Sequence, residues 1–292
     1  MKIVITGSLG NIGKPLTQTL VAAKHEVTVV SSNNDRKTEI ESLGAQAAIG
    51  SVSDSAFLAE TFKGADAIFA MTPPNMGGSN VIANTFAAGQ AYAQAFKQAG
   101  VKRVVMLSSI GAHLPSGNGP IAAIHQIEQL YSELEGIAFT YLRAGYFYTN
   151  YYNNVPLVKY NNIIGANYPA NVKLPLVHPK DIAVAAAEEL ERNAKGSDIR
   201  YIISDVVTPA HIAKTFGSAI GKPELPWVEF TDEQSLQGLV GAGVPEDIAA
   251  LYTEMGTGFR NGNIPAHFEQ SGAPVTGGTK LDDFAKEFAL KF

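Results

Sequence analysis

The chain has 292 residues, 46% of them hydrophobic and 17% charged, a balance that supports a large buried core and excludes an intrinsically disordered protein. A net charge of −5 with no long basic block argues against a nucleic-acid or anionic-membrane surface. There is no cysteine, so disulfides, thiolate nucleophiles and Cys-based metal or iron–sulfur sites are excluded by inventory.

The opening "MKIVITG" enters a β-branched strand at once, without the charged segment and cleavage site of a signal peptide, and no apolar run approaches the ~18 residues that span a bilayer. A cytoplasmic protein is expected. Short β-branched runs then predict buried strands at 2–7, 26–32, 45–50, 66–72, 103–109 and 138–144. Helical spacing lies between them, at Ile12 to Ala23, Ser53 to Lys63, Ser79 to Ala99 and Pro120 to Leu134. Strands alternating with helices imply right-handed βαβ units and an α/β, doubly wound parallel sheet of the Rossmann type. Further on, 178–193 reads as a helix, 199–205 as one more strand, and 208–222, 245–259 and 281–292 as helices. The expected organisation is a nucleotide-binding core over residues 1–150. Residues 151–292 then hold the remaining sheet elements and a smaller, mostly helical substrate lobe, integrated into one domain.

The segment "VITGSLGNIGKPL" puts Gly7, Gly10 and Gly13 between the first strand and the first helix. Glycines there permit a tight turn, a close backbone approach to a pyrophosphate and contact between helix and strand; the helix N-terminus directs N–H groups at phosphate. Ser8, Leu9, Asn11 and Ile12 complete the loop. The second strand ends in "VVSSNNDRK", without the acidic residue in place that would clasp the ribose hydroxyl of NAD. Ser31, Ser32, Asn33, Asn34, Arg36 and Lys37 supply donors that suit a 2′-phosphate, so NADP(H) is expected. Asp35 leaves NAD(H) open, since it would either neutralise Arg36 or face the ribose.

These residues, with "GADAIFAMTPP" at 64–74, "AGVKRVVMLSSIGAH" at 99–113, "HQIEQLY" at 125–131, "FTYLRAGYFYTN" at 139–150 and the "HPKDIAVAAAEEL" segment, give the chain a resemblance to a known family. It resembles the NmrA-like branch of the atypical short-chain dehydrogenases/reductases over nearly its whole length. The resemblance implies a Rossmann core and NAD(P)(H) binding. It also implies either a reductase of quinones, azo dyes or other conjugated acceptors, or a cofactor-sensing regulator without turnover. By the same resemblance Met71, Thr72 and Pro73 line the adenosine and ribose side, Ser108 and Ser109 lie close to the nicotinamide, and Asn150 falls at a position often Asn. The Tyr-x-x-x-Lys pair of ordinary members is missing from this chain.

In its place the helix predicted from Pro120 to Leu134 offers His125 and Glu128, at i and i+3 on one face. A histidine titrates near neutral pH and a neighbouring carboxylate favours its protonated form, so His125 is a candidate proton donor, with a surface ion pair as the alternative. Tyr146, Phe147, Tyr148, Tyr151 and Tyr152 follow the sixth strand; they suit either a planar aromatic acceptor or core packing. His178 reads as a cap before its helix, and the scattered His113, His125 and His178 show no metal-ligand spacing. The leading expectation is an NADPH-dependent reductase of quinone-like or other conjugated small molecules, acting as monomer or homodimer. The rival is a non-catalytic NADP sensor, and a sugar-nucleotide epimerase is disfavoured by the missing tyrosine.

Overall fold

The computed structural model describes residues 1–73 and 79–292; Pro74, which ends the 64–74 motif, lies outside the described residues. In chain order the elements begin with β1 (Lys2–Ile5), α1 (Gly13–Ala22), β2 (Glu26–Ser31), α2 (Lys37–Ser42), β3 (Gln46–Ile49), α3 (Ser55–Phe62) and β4 (Ala67–Ala70). Next come α4 (Val81–Ala99), β5 (Arg103–Ser109), α5 (Ile121–Ser132), β6 (Ala138–Ala144), β7 (Tyr146–Phe147), α6 (Val155–Tyr160), β8 (Ile164–Ala166) and β9 (Leu174–Val177). The chain closes with α7 (Pro179–Glu191), β10 (Asp198–Ile202), β11 (Asp205–Val207), α8 (Pro209–Ala219), β12 (Trp227–Glu229), α9 (Asp232–Gly241), α10 (Glu246–Arg260), α11 (Ala266–Gln270) and α12 (Leu281–Ala289). Two compact units result: Met1–Ser108 with Ala123–Arg143 and Ile182–Arg200, and Ser109–Ala122 with Ala144–Asp181 and Tyr201–Phe292.

The first unit is built on a seven-stranded sheet in the order β10-β6-β5-β4-β1-β2-β3. The ladders that join β3, β2, β1, β4 and β5 are parallel, with Ile3 opposite Val27 on one side and Ala67 on the other. Parallel strands are covered on both faces, which is why β4 reads as an unbroken buried run, Ala67 to Ala70. Strand order reverses at β1, so a crevice opens at the carboxyl ends of β1 and β4. Under the helices, Phe62, Phe96, Tyr131 and Phe139 form a chain of rings with successive centroids 5.6, 5.5 and 5.3 Å apart. Farther along the sheet the buried Arg103 donates from Nη2 to Glu189 Oε2 at 3.2 Å and to Thr140 Oγ1 at 2.8 Å. Glu189 also accepts from Arg192 and Arg200, so one carboxylate fastens α7 to β5 and β10.

The second unit holds a three-stranded sheet, β11-β9-β7, and a two-stranded one, β12-β8. Its core stacks Phe216 on Phe288 at 4.3 Å and Tyr148 on Phe284 at 5.2 Å. The 199–205 stretch is not one strand, which corrects the sequence expectation. It divides into β10 and β11 at Ile203 and Ser204 because the Ile203 carbonyl accepts from Thr276 and Gly277, and Ser204 donates from Oγ to Asp181 at 2.6 Å. The unpredicted α9 starts with a Thr231–Gln234 capping box yet buries no residue. It is held by Arg260, which donates from Nη1 and Nη2 to the two Asp232 oxygens at 2.8 and 2.9 Å, and by Asn167.

The Arg260 guanidinium, followed by the Asn167 amide, holds the Asp232 carboxyl down from 3.8 to about 2. A depressed carboxylate contributes its full stability above the unfolded value, and that contribution is lost as pH falls through the folded one. Amide exchange in α9 is therefore expected to accelerate, relative to α4, between about pH 4 and pH 2. Asp232→Asn is expected to show fast exchange in α9 already at pH 6. Unaltered α9 protection in that variant would contradict the tether.

Candidate functional site

The loop between β1 and α1 is shaped by its glycines in two different ways. Gly7 has φ +98°, and Ser8 follows at φ +57°, so the chain turns sharply as it leaves the sheet. A Cβ on Gly13 would stand 2.0 Å from the Ser8 carbonyl oxygen, and one on Gly7 would meet the Met71 Cε at 1.9 Å. Those two positions are closed by the protein itself. Gly10 is exposed, and a Cβ there would meet nothing nearer than the Gly7 carbonyl oxygen at 3.6 Å. Leu9 and Ile12 are buried anchors and Asn11 is exposed. Ile12 sits at the N-cap of α1, where no side chain accepts from the helix. A helix start without a side-chain cap presents N–H groups and the positive end of its dipole. A diphosphate fits that donor set, and Gly10 leaves the surface over it open.

At the end of β2, Ser31 is buried and turned toward the same loop: the Ser8 hydroxyl donates to Ser31 Oγ at 3.0 Å. Ser31 also accepts from the Asn33 N–H at 3.2 Å, and the Asn33 side chain accepts from Asp35 N at 2.8 Å. Arg36 pairs with Glu39 rather than with Asp35, at 2.6 Å. Glu39 is a residue that sequence reasoning missed; its only signal was the i,i+3 spacing from Arg36. Lys14 and then Arg36 pull the Glu39 carboxyl below its ordinary range. On the β4 side, Met71 O accepts from the Tyr92 phenol at 3.1 Å, Thr72 is buried and Pro73 exposed.

The fifth strand ends at a buried polar triad. Arg143 on β6 grips Glu128 on α5 with two bonds, Nε to Oε1 at 3.1 Å and Nη2 to Oε2 at 2.6 Å. Both side chains are 6% exposed. Ser108 on β5 donates its hydroxyl to the same Oε1 at 2.5 Å. Glu128 is thus a buried counter-ion, and Arg143 was not singled out from the sequence because fifteen residues and a whole element boundary separate the pair. His125, one turn earlier on α5, is half-buried.

Within the second unit, Ser109 donates from Oγ to the Ile110 carbonyl at 2.9 Å. Tyr148 is fully buried and donates to Asp205 Oδ2 at 2.8 Å, and Tyr152 packs against Phe284 and Phe288. Tyr151 is buried edge-on to Phe216. Tyr146 is partly exposed, edge-on to Tyr151 and Phe259; burial pushes its phenol up, with the Asn150 side chain acting the other way. Phe147 and Asn150 are also half-buried. His178 accepts the Lys180 N–H on Nδ1 at 3.1 Å, which leaves Nε2 carrying the proton toward Glu287 at 3.4 Å, a capping role at the start of α7. Among the described residues no group of His, Asp and Glu is placed to hold a metal ion, and no helix is long and apolar enough to cross a membrane.

A doubly wound sheet with a glycine loop and a helix start without a side-chain cap at its switch point defines a dinucleotide-binding class of fold. Residues 1–281 match the NmrA-like family, and the chain belongs to it. It is 26% identical over 259 residues to an NAD(P)H azoreductase of Xenophilus azovorans, a match spanning 87% of this chain and 85% of that one. It is 23% identical over 299 residues to a (4-alkanoyl-5-oxo-2,5-dihydrofuran-3-yl)methyl phosphate reductase of Streptomyces griseus, spanning 99% of each. Among solved structures, the NADPH complex of an NADPH-dependent quinone oxidoreductase from Escherichia coli has the same fold, with TM-score 0.81 and 18% identity over 98% of this chain and 99% of that one.

The two kinds of glycine predict opposite phenotypes. Gly13→Ala forces its Cβ against backbone and is expected to destabilise by about 1–3 kcal/mol in urea melts. Gly10→Ala is expected to melt like the parent but to lose nucleotide affinity by tenfold or more in calorimetry. Equal affinity in Gly10→Ala would remove the loop from the binding surface. Glu128→Ala strands Arg143 without its buried partner and is expected to cost about 3–5 kcal/mol. A cost under about 1 kcal/mol in the same melts would contradict the buried ion pair.

Proposed function

We propose that the protein is an NADPH-dependent oxidoreductase that reduces quinone-like, azo or other conjugated small molecules. The observation that carries the proposal is the open glycine loop ahead of a helix without a side-chain cap, in a chain whose relatives along most of its length are reductases of such compounds. When bound, NADPH supplies the hydride. The loop residues Gly7 to Gly13 hold the diphosphate, and Met71, Thr72 and Pro73 border the adenosine and ribose. Arg36, with Ser31 and Asn33 ordering the turn before it, holds the 2′-phosphate, which favours NADP(H) over NAD(H).

The chain's own acid–base groups then divide the remaining work. Ser108 uses its O–H as a hydrogen-bond donor to Glu128, so its oxygen is left as an acceptor toward other groups. His125 donates a proton to acceptors whose reduced anion is unstable. A quinone gains a hydride and a proton to become a hydroquinone; its anion is a tolerable product that water can protonate, so the missing Tyr-x-x-x-Lys pair is no obstacle. Within the second unit Tyr146, with Asn150 beside it, is partly exposed and is the candidate for acceptor contact, while Tyr148 and Tyr151 are buried. The main contribution of the protein is to hold donor and acceptor in a reactive geometry.

Purified protein with NADPH is expected to reduce a panel of quinones, azo dyes and enones well above the uncatalysed rate. NADPH is expected to bind one to two decades more tightly than NADH, as a charge-assisted phosphate contact worth about 1.5–3 kcal/mol requires. His125→Ala is expected to lower kcat for enones by about 10²–10⁴ and to leave quinones nearly unaffected. Tight NADPH binding with no turnover of any acceptor would make the protein a sensor. Equal losses on all acceptors would reduce His125 to a packing residue.

A further inference from the structure

Two cations of the first unit converge on one carboxylate beside the glycine loop. Lys14, the residue after Gly13, donates from Nζ to Glu39 Oε1 at 2.9 Å. Arg36 donates from Nη1 to Glu39 Oε2 at 2.6 Å. The three side chains come from α1, the turn after β2, and α2, and each carboxylate oxygen serves one cation. They are 46%, 48% and 34% exposed for Lys14, Arg36 and Glu39, so a solute can reach all three. The Ser8–Ser31 bond at 3.0 Å ties the glycine loop to the end of β2. Lys37, the other cation of this turn, points to Glu41 instead, at 4.0 Å.

We propose that Glu39 is a built-in competitor for the 2′-phosphate of the nucleotide, and that Lys14 is the second cation of that phosphate's site. The inference rests on the dinucleotide-binding reading given above. Without nucleotide, Glu39 gathers two cations that would otherwise be spread by mutual repulsion. A phosphate monoester carries about −1.5 to −2 charge and three acceptor oxygens, against one charge and two oxygens for a carboxylate, so it displaces Glu39 from the pair. Exposed ion pairs are weak, worth at most about fivefold each, which makes the exchange favourable to the phosphate. NADH has no group to place there and leaves the Lys14–Glu39–Arg36 bridge intact. Discrimination between the two nucleotides thus comes from an exchange of anions on one cation pair, and Glu39 limits how tightly NADPH binds.

Calorimetric titration of the full chain with NADPH, NADH, 2′,5′-ADP and 5′-AMP tests this. Glu39→Gln is expected to tighten NADPH and 2′,5′-ADP about threefold to fivefold and to leave NADH and 5′-AMP unchanged. Lys14→Met is expected to weaken NADPH and 2′,5′-ADP about tenfold, again without effect on NADH. All three side chains are on the surface, and unchanged melting temperatures are expected to show that the variants fold. NADPH affinity that is unchanged or weakened in Glu39→Gln, with wild-type binding intact, would overturn the competitor role. Unchanged NADPH affinity in Lys14→Met would remove Lys14 from the site. A wild-type chain that binds neither NADPH nor NADH would instead overturn the dinucleotide reading itself.

Discussion

The bond between Arg143 and Glu128 is a constraint set inside the core of the first unit. It joins β6 to α5 through two hydrogen bonds between side chains that are almost wholly out of water. Such a pair is retained only when nearly every donor and acceptor is used, because either charge alone would be strongly disfavoured there. The remaining capacity of the carboxylate is filled by Ser108, which brings the end of β5 into the same network. Ser108 is thereby a donor to a buried carboxylate.

The crevice at the strand-order reversal imposes the second constraint. The chain leaving β1 must turn within a few residues, and that turn is closed on one side by Met71 from the end of β4 and on the other by the Ser8 carbonyl under Gly13. What remains open is the surface over Gly10 and the start of α1, whose capping position holds a buried isoleucine with no group to offer. Lys14, the residue after Gly13, and Arg36 pair with one carboxylate, that of Glu39.

Much of this was legible in the sequence because the signals are local. Parallel strands buried on both faces leave unbroken β-branched runs, and the glycine spacing with its strand and helix context marks the loop without any tertiary information. Partnerships across distance were not legible. Glu128 reads as the neighbour of His125 on a helix face, yet its partner lies on the next strand; only packing decides between them. Glu39 looks like one more solvated charge of α2. The break between β10 and β11 depends on Thr276 and Gly277, about seventy residues on, which take the Ile203 carbonyl out of the sheet. The tyrosines after β6 could not be sorted by pattern, since Tyr146 and Tyr148 differ in fate through Asp205 and Phe284 rather than through their own sequence context. For α9 the Thr231–Gln234 capping signal was present, but without a buried face there was no periodicity to extend it.

In the proposed reaction reducing equivalents pass directly from a bound dinucleotide to a conjugated acceptor. Single-turnover oxidation of NADPH by a quinone, with the nicotinamide deuterated stereospecifically at either C4 position, tests it most directly. Direct transfer is expected to give a primary isotope effect from one of the two C4 labels and none from the other. Nucleotide that binds tightly yet is oxidised no faster than in free solution, with either label, would contradict it.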